Sequence, residues 1–228
     1  QIADVIGKLE YSPPNLNTQG SKTQPDWLFE FFNNPTIIRP NLQVRMPSFD
    51  FTDSQWNTII KAFQHIDDRG LLLEGHFSVD RMASKFKAGE KLHTFGACNN
   101  CHFYGDEFPK QGVQTWAPNL ALTKDRLRPE WVVRWLDNPN DIMPGTKMPA
   151  PYIPDSITLA LDNAVSTWGK DVVALNGDRE KMLEAIRDYI YTIEGKKDIS
   201  ILIKDYFKVN GYEFDSEDEE DEFDDEEW

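Results

Sequence analysis

The chain has 228 residues and a mass of 26.4 kDa, enough for one large domain or two small ones. Its content of 39% apolar and 12% aromatic residues supports a core of ordinary size and excludes disorder throughout. The formal net charge is −15, yet residues 214–228 carry eleven of the 39 acidic groups and no basic one, which leaves 28 acids against 24 bases elsewhere. That block is expected to be a solvated, disordered acidic tail suited to a basic partner, and its charge would repel the phosphates of nucleic acid, so no nucleic-acid partner is expected. No run approaches the roughly eighteen uncharged apolar residues of a membrane helix, so no direct membrane span is expected. No basic-then-apolar leader follows Gln1, and any targeting segment is expected to have been removed already.

Taken in chain order, the elements read as mainly α. Pro25 opens a helix whose Trp27, Leu28, Phe31 and Phe32 share a face, and Asn33-Asn34-Pro35 stops it. Thr52 or Asp53 caps a second helix with Trp56, Ile59, Ile60 and Phe63 as its buried stripe. Residues 67–80 read as a linker. A helix from Asp80 to about Gly96 follows, with Met82, Phe86, Leu92 and Phe95 as candidate core contacts. Pro129 starts a helix carrying Trp131, Val132 and Trp135. An additional helix is expected over 155–167. Asp178 caps a terminal helix with Met182, Ile186, Tyr189, Ile190 and Ile193 inward, and residues 196–213 extend beyond it, suited to strapping onto a neighbour.

The only two cysteines stand in Cys98-Asn99-Asn100-Cys101-His102. A thioredoxin-like redox pair uses this spacing but wants a βαβ setting and needs no histidine after it. A structural zinc site needs four ligands, typically from two such pairs, and there is no second pair. The favoured reading is one covalently attached haem c: two thiols three residues apart on a helical turn can add to the two vinyl groups of one porphyrin, and His102 is then held beneath the iron as an axial ligand. A shuttle haem usually carries a thioether on its other face. Met143-Pro144-Gly145-Thr146-Lys147-Met148-Pro149 offers two. A methionine in a Pro- and Gly-rich loop is harder to explain as core filler than one on an amphipathic helix, and Met148 is favoured. Among the other histidines, His65 reads as a surface residue at a helix end, His76 lies in the linker and His93 precedes Cys98 by five residues. Any of them as a sixth ligand would make a bis-His site of lower potential.

Trp116-Ala117-Pro118-Asn119-Leu120, Arg126-Leu127-Arg128-Pro129-Glu130-Trp131, Trp135-Leu136 and Pro144-Gly145-Thr146-Lys147-Met148-Pro149, together with the cysteine motif, resemble class I cytochrome c over roughly residues 80–195. The resemblance implies that the Pro118 carbonyl accepts a hydrogen bond from the His102 imidazole, that Leu120 contacts the haem, and that Trp131 and Arg126 or Arg128 line its edge and balance the propionates. The bland alternative for these last three is a core tryptophan and arginines on a solvated helix face.

The chain also repeats itself. Pro14-Asn15-Leu16 matches Pro118-Asn119-Leu120 at an offset of 104, Pro25-Asp26-Trp27-Leu28 matches Pro129-Glu130-Trp131-Val132, Phe31 falls on Trp135, Asn34-Pro35 on Asn138-Pro139, and Met46-Pro47 answers Met148-Pro149 after two extra residues. Lys22 and Gln24 stand where the second copy has Arg126 and Arg128. The expected organisation is two tandem cytochrome c-like helical modules: a degenerate, haem-free one over 1–75, a monohaem domain over 76–195, an extension over 196–213 and the acidic tail over 214–228. The expected function is electron transfer through one haem c with His102 and Met148 as axial ligands, in a subunit of a larger respiratory or oxidoreductase complex. Its partners would be redox proteins or other subunits of a membrane-associated assembly. A freely diffusing periplasmic shuttle, or a haem-based small-ligand sensor or peroxidase-like protein, are the alternatives. No catalytic residue is assigned. Because haem c is assembled outside the cytoplasmic membrane in bacteria, the resemblance implies a periplasmic or other extracytoplasmic location.

Overall fold

The computed structural model describes residues 16–40, 46–68 and 77–211. His76, Pro14, Asn15, the middle of the expected linker, the end of the extension and the whole acidic tail lie outside these segments. Among the described residues the chain is 55% helical and has no strand, as the apolar spacing predicts. No helix among them is long and apolar enough to cross a membrane.

Six longer helices organise the molecule: α1 (Pro25–Asn33), α2 (Asp53–Ile66), α3 (Ser84–Phe95), α4 (Pro129–Asp137), α5 (Arg179–Ile190) and α6 (Ser200–Val209). Helices α1 and α4 are built alike, each with proline in its first turn and an Asn-Pro stop. For α2 the structure selects Thr52 as the cap. Its hydroxyl accepts from the Gln55 N–H at 3.4 Å, and the Gln55 side chain accepts from the Thr52 N–H at 2.8 Å. Asp178 caps α5, accepting from the Lys181 N–H at 3.1 Å.

Two helical expectations need correction. Helix α3 begins at Ser84 rather than Asp80, because the Asp80 carboxylate accepts from the Met82 N–H and its carbonyl from the Ala83 N–H, which closes a turn instead. Met82 is consequently 80% exposed and is not a core residue. The helix expected over 155–167 is two short ones, Ser156–Leu159 and Ala164–Trp168. The intervening Asp162-Asn163 favours a turn, since short polar side chains compete with helical hydrogen bonding.

The main core forms where α3 crosses α5. At that crossing a Cβ on Gly89 would lie 1.9 Å from the Ala185 carbonyl oxygen, so only glycine permits the approach. Leu92, Met182 and Ile186 fill the crossing, and Trp131, Val132 and Leu136 of α4 pack against it. A second cluster sets Ile199, Ile203 and Phe207 on Phe103, Trp116 and Ile37. Residues 199–207 of the extension therefore pack across their own chain. The third cluster joins α1 to α2, with Phe32 stacked on Trp56 at 4.6 Å.

The two copies of the repeat meet through equivalent residues. Thr23 and Leu127 form an isolated antiparallel bridge, and they are 104 residues apart, which is the repeat offset. The Gln24 N–H donates to the Arg126 carbonyl at 2.9 Å, and the Arg128 N–H donates to the Lys22 carbonyl at 2.9 Å. Each of these bonds becomes the other when the copies are exchanged. The junction is thus a local two-fold, the self-complementary arrangement of a symmetric dimer built into one chain. Cations cross it in both directions: the Lys22 ammonium lies 5.1 Å from the Trp131 ring centroid, and the Arg126 guanidinium 5.4 Å from that of Trp27.

Candidate haem site

The loop after α3 is set by backbone geometry. Ala97 takes a left-handed conformation (φ 48°), turning the chain into a short 3-10 turn over Cys98–Asn100. The Cys98 carbonyl accepts from the N–H groups of both Cys101 (3.2 Å) and His102 (2.9 Å). One helical turn therefore carries both thiols and the imidazole. Both cysteines are free thiols. Burial pushes the Cys98 thiol up to about 11, which is opposite to the acidic thiol that disulfide exchange needs. Among the described residues no three His, Cys, Asp or Glu side chains converge on a common point, so they offer zinc no tetrahedral set.

His102 is fixed from its far side. Its Nδ1 lies 2.7 Å from the Pro118 carbonyl oxygen. A carbonyl can only accept, so Nδ1 holds the proton and Nε2 keeps its lone pair for a metal. Burial lowers the imidazole pKa and favours this neutral form. The Pro118 segment is itself anchored: the Ala117 N–H donates to the Cys101 carbonyl at 2.8 Å, and the Leu120 N–H to the Phe103 carbonyl at 2.9 Å.

Met148 lies on a loop whose shape follows from Met143-Pro144-Gly145-Thr146. The Thr146 N–H donates to the Met143 carbonyl at 3.1 Å and Gly145 adopts φ 81°, a turn with proline and glycine where their backbone preferences suit it. The Met148 sulfur accepts from the Trp135 indole N–H at 2.7 Å. Trp135 stacks on Trp131 at 5.1 Å with a 13° interplanar angle. Cys98, Tyr104 and Met148 all pack against the main core cluster.

Arg126 is half-buried, with a fully buried Nε that has no hydrogen-bond partner, and the buried indole N–H of Trp131 likewise has none. Desolvation lowers the Arg126 pKa to about 10. Arg128, 1% exposed, donates from Nε to the Thr23 carbonyl at 3.3 Å and so secures the junction. His93 is buried, with its Nε2 2.6 Å from the Tyr104 hydroxyl, and burial followed by the neighbouring His102 lowers its pKa to about 4. That hydrogen bond occupies the nitrogen an axial role would use. His65 is exposed at the end of α2.

The residue that sequence reasoning passed over is Asn119. It was quoted within the Pro-Asn-Leu motif without a role. Its side chain accepts from the N–H groups of Gly105 (3.0 Å) and Ala121 (3.1 Å), and donates to the carbonyls of Gly105 (3.0 Å) and Lys196 (2.9 Å). It is 3% exposed. A polar residue directly after Pro118 and before an apolar run was the available signal.

The residues present fit a haem c. Two unlinked thiols and an oriented imidazole lie on one turn, Met148 packs on the same core cluster as Cys98, and a buried arginine nitrogen lacks the acceptor that a propionate would provide. Comparison with protein-family models, with curated proteins and with solved structures yields no match.

Proposed function

We propose that the chain is an electron-transfer protein carrying one covalent haem c in its second module, with His102 and Met148 as axial ligands. The observation that carries this reading is the 2.7 Å contact from His102 Nδ1 to the Pro118 carbonyl, directly beside the Cys98 and Cys101 thiols. A histidine serving only the core gains nothing from adjacent thiols on its own turn. A ligand does, because the thiols hold the porphyrin over it.

When bound, the haem supplies the ferric–ferrous couple. The chain's part is to hold and tune it. Cys98 and Cys101 tether the macrocycle, and the Pro118 carbonyl orients His102 and makes it a better donor. Met148 closes the other face with a sulfur ligand, which favours the reduced state relative to a second histidine. The Trp135 N–H bond orients that sulfur and leaves a second lone pair on it. Arg126 offers charge to a propionate, and the Trp131–Trp135 stack lines the haem edge and excludes water. With both axial positions taken, the site favours electron exchange over substrate binding.

The first module is read as a haem-free partner of the second. A place in a larger oxidoreductase complex on the extracytoplasmic side suits this two-module chain with an acidic tail. The test is to express the chain with cytochrome c maturation machinery and to compare it with Cys98→Ser/Cys101→Ser. Haem that survives denaturing electrophoresis in the parent and is absent from the double variant supports the proposal; haem absent from the parent overturns it.

A further inference from the structure

Lys22 belongs to the first copy of the repeat, yet it lies against Trp131 of the second. It is 7% exposed, its ammonium faces the Trp131 ring at 5.1 Å, and Trp131 stacks on the Trp135 that donates to Met148 sulfur. An unbroken run of contacts therefore joins Lys22 to the proposed axial thioether. Arg126 lies over Trp27 in the opposite sense, with a buried Nε that has no hydrogen-bond partner, as has the buried Trp131 indole N–H. No described carboxylate forms an ion pair with Lys22 or Arg126. Burying a cation without a counter-ion is costly, and natural structures avoid it unless an anion is bound there.

We infer that Lys22 and Arg126 form a carboxylate-binding site at the two-fold junction, that its occupant is a propionate of the second module's haem, and that the first module thereby sets that haem's reduction potential through Lys22. This rests on the haem reading above. The role differs from the one the repeat alone assigns to Lys22, which would place it beside a haem of its own module. The contacts are instead crossed: the cation of each copy sits on the aromatic wall of the other. A cation held near the porphyrin opposes the extra positive charge of the ferric state, so it raises the potential.

Lys22→Met keeps length and removes charge. Lys22→Arg keeps charge. Lys61→Met removes an exposed charge from the same half of the chain. In the haem-loaded full chain, Lys22→Met is expected to shift the midpoint potential downward, with Lys22→Arg and Lys61→Met close to the parent. In the full chain made without haem the sign reverses: Lys22→Met is expected to raise the urea midpoint, because it removes a buried cation whose counter-ion is missing. Two results overturn the inference alone: a potential that moves no more in Lys22→Met than in Lys61→Met although the haem spectrum is intact, or a lowered urea midpoint for haem-free Lys22→Met, which would reveal a carboxylate partner within the chain. A parent chain that takes up no covalent haem overturns the inference together with the reading beneath it.

Discussion

His102 Nδ1 and the Pro118 carbonyl oxygen lie 2.7 Å apart across sixteen residues of sequence. That bond decides which imidazole nitrogen is free, and hence what the Cys98–His102 turn can hold. It depends on the backbone on both sides. The turn is closed by the Cys98 carbonyl, and the Pro118 segment by the Cys101 and Phe103 carbonyls.

Asn119 stabilises this arrangement from behind. Replacing it with alanine strands the N–H and carbonyl of Gly105 in a buried setting. The expected cost is roughly 1–3 kcal/mol, the usual penalty for leaving a buried polar group unsatisfied. A urea titration reads it. Asn119→Asp should cost at least as much at neutral pH, because it buries a carboxylate whose second oxygen faces the Gly105 and Lys196 carbonyls. An alanine variant as stable as the parent would mean that the side chain's four hydrogen bonds carry no net stability.

Met148 closes the sixth position in this account. Ferrous parent protein is expected to resist carbon monoxide, whereas Met148→Ala should bind it readily, lose the thioether–iron charge-transfer band and shift to a lower potential. Met143→Ala should behave as the parent. If the parent itself binds carbon monoxide readily, the iron is open and the small-ligand sensor reading gains over electron transfer.

The α3–α5 crossing has its own test. Gly89→Ala would place a methyl 1.9 Å from the Ala185 carbonyl oxygen, so the helices must separate. Overpacking of this kind costs about 1–3 kcal/mol, and thermal unfolding of the full chain should show the loss. An unchanged melting temperature would mean that the helices can move apart without penalty.

Much of this was legible in the sequence, and for physical reasons. Helices α1 and α4 declare themselves through a proline start, an Asn-Pro stop and aromatic residues at helical spacing, and all of these are local signals. The Cys98–His102 motif was readable because the chemistry fixes its spacing, whereas the Pro118 carbonyl was readable only through the resemblance that its Pro-Asn-Leu run carries. What escaped was tertiary. Met82 fits a helical stripe, yet the Asp80 turn puts it outside the helix. The strap over 196–211 shows apolar residues without saying what they meet, and Phe103 and Trp116 become their partners only once the thiol loop is folded. The resemblance offers Arg126 or Arg128 for the haem edge, and the bond from Arg128 to the Thr23 carbonyl depends on how the two copies dock, which the motif does not state. The crossed Lys22–Trp131 and Arg126–Trp27 pairs are invisible to an offset of 104, which aligns the copies without stating their mutual orientation.

The central claim is covalent haem on Cys98 and Cys101. Its most direct test is the intact mass of the chain under denaturing conditions after expression with haem c maturation, read beside a reduced pyridine haemochrome spectrum. The account predicts the mass of the chain plus one haem and a spectrum of the c type. An unmodified mass with no haemochrome would contradict it and return the two thiols to disulfide or metal chemistry.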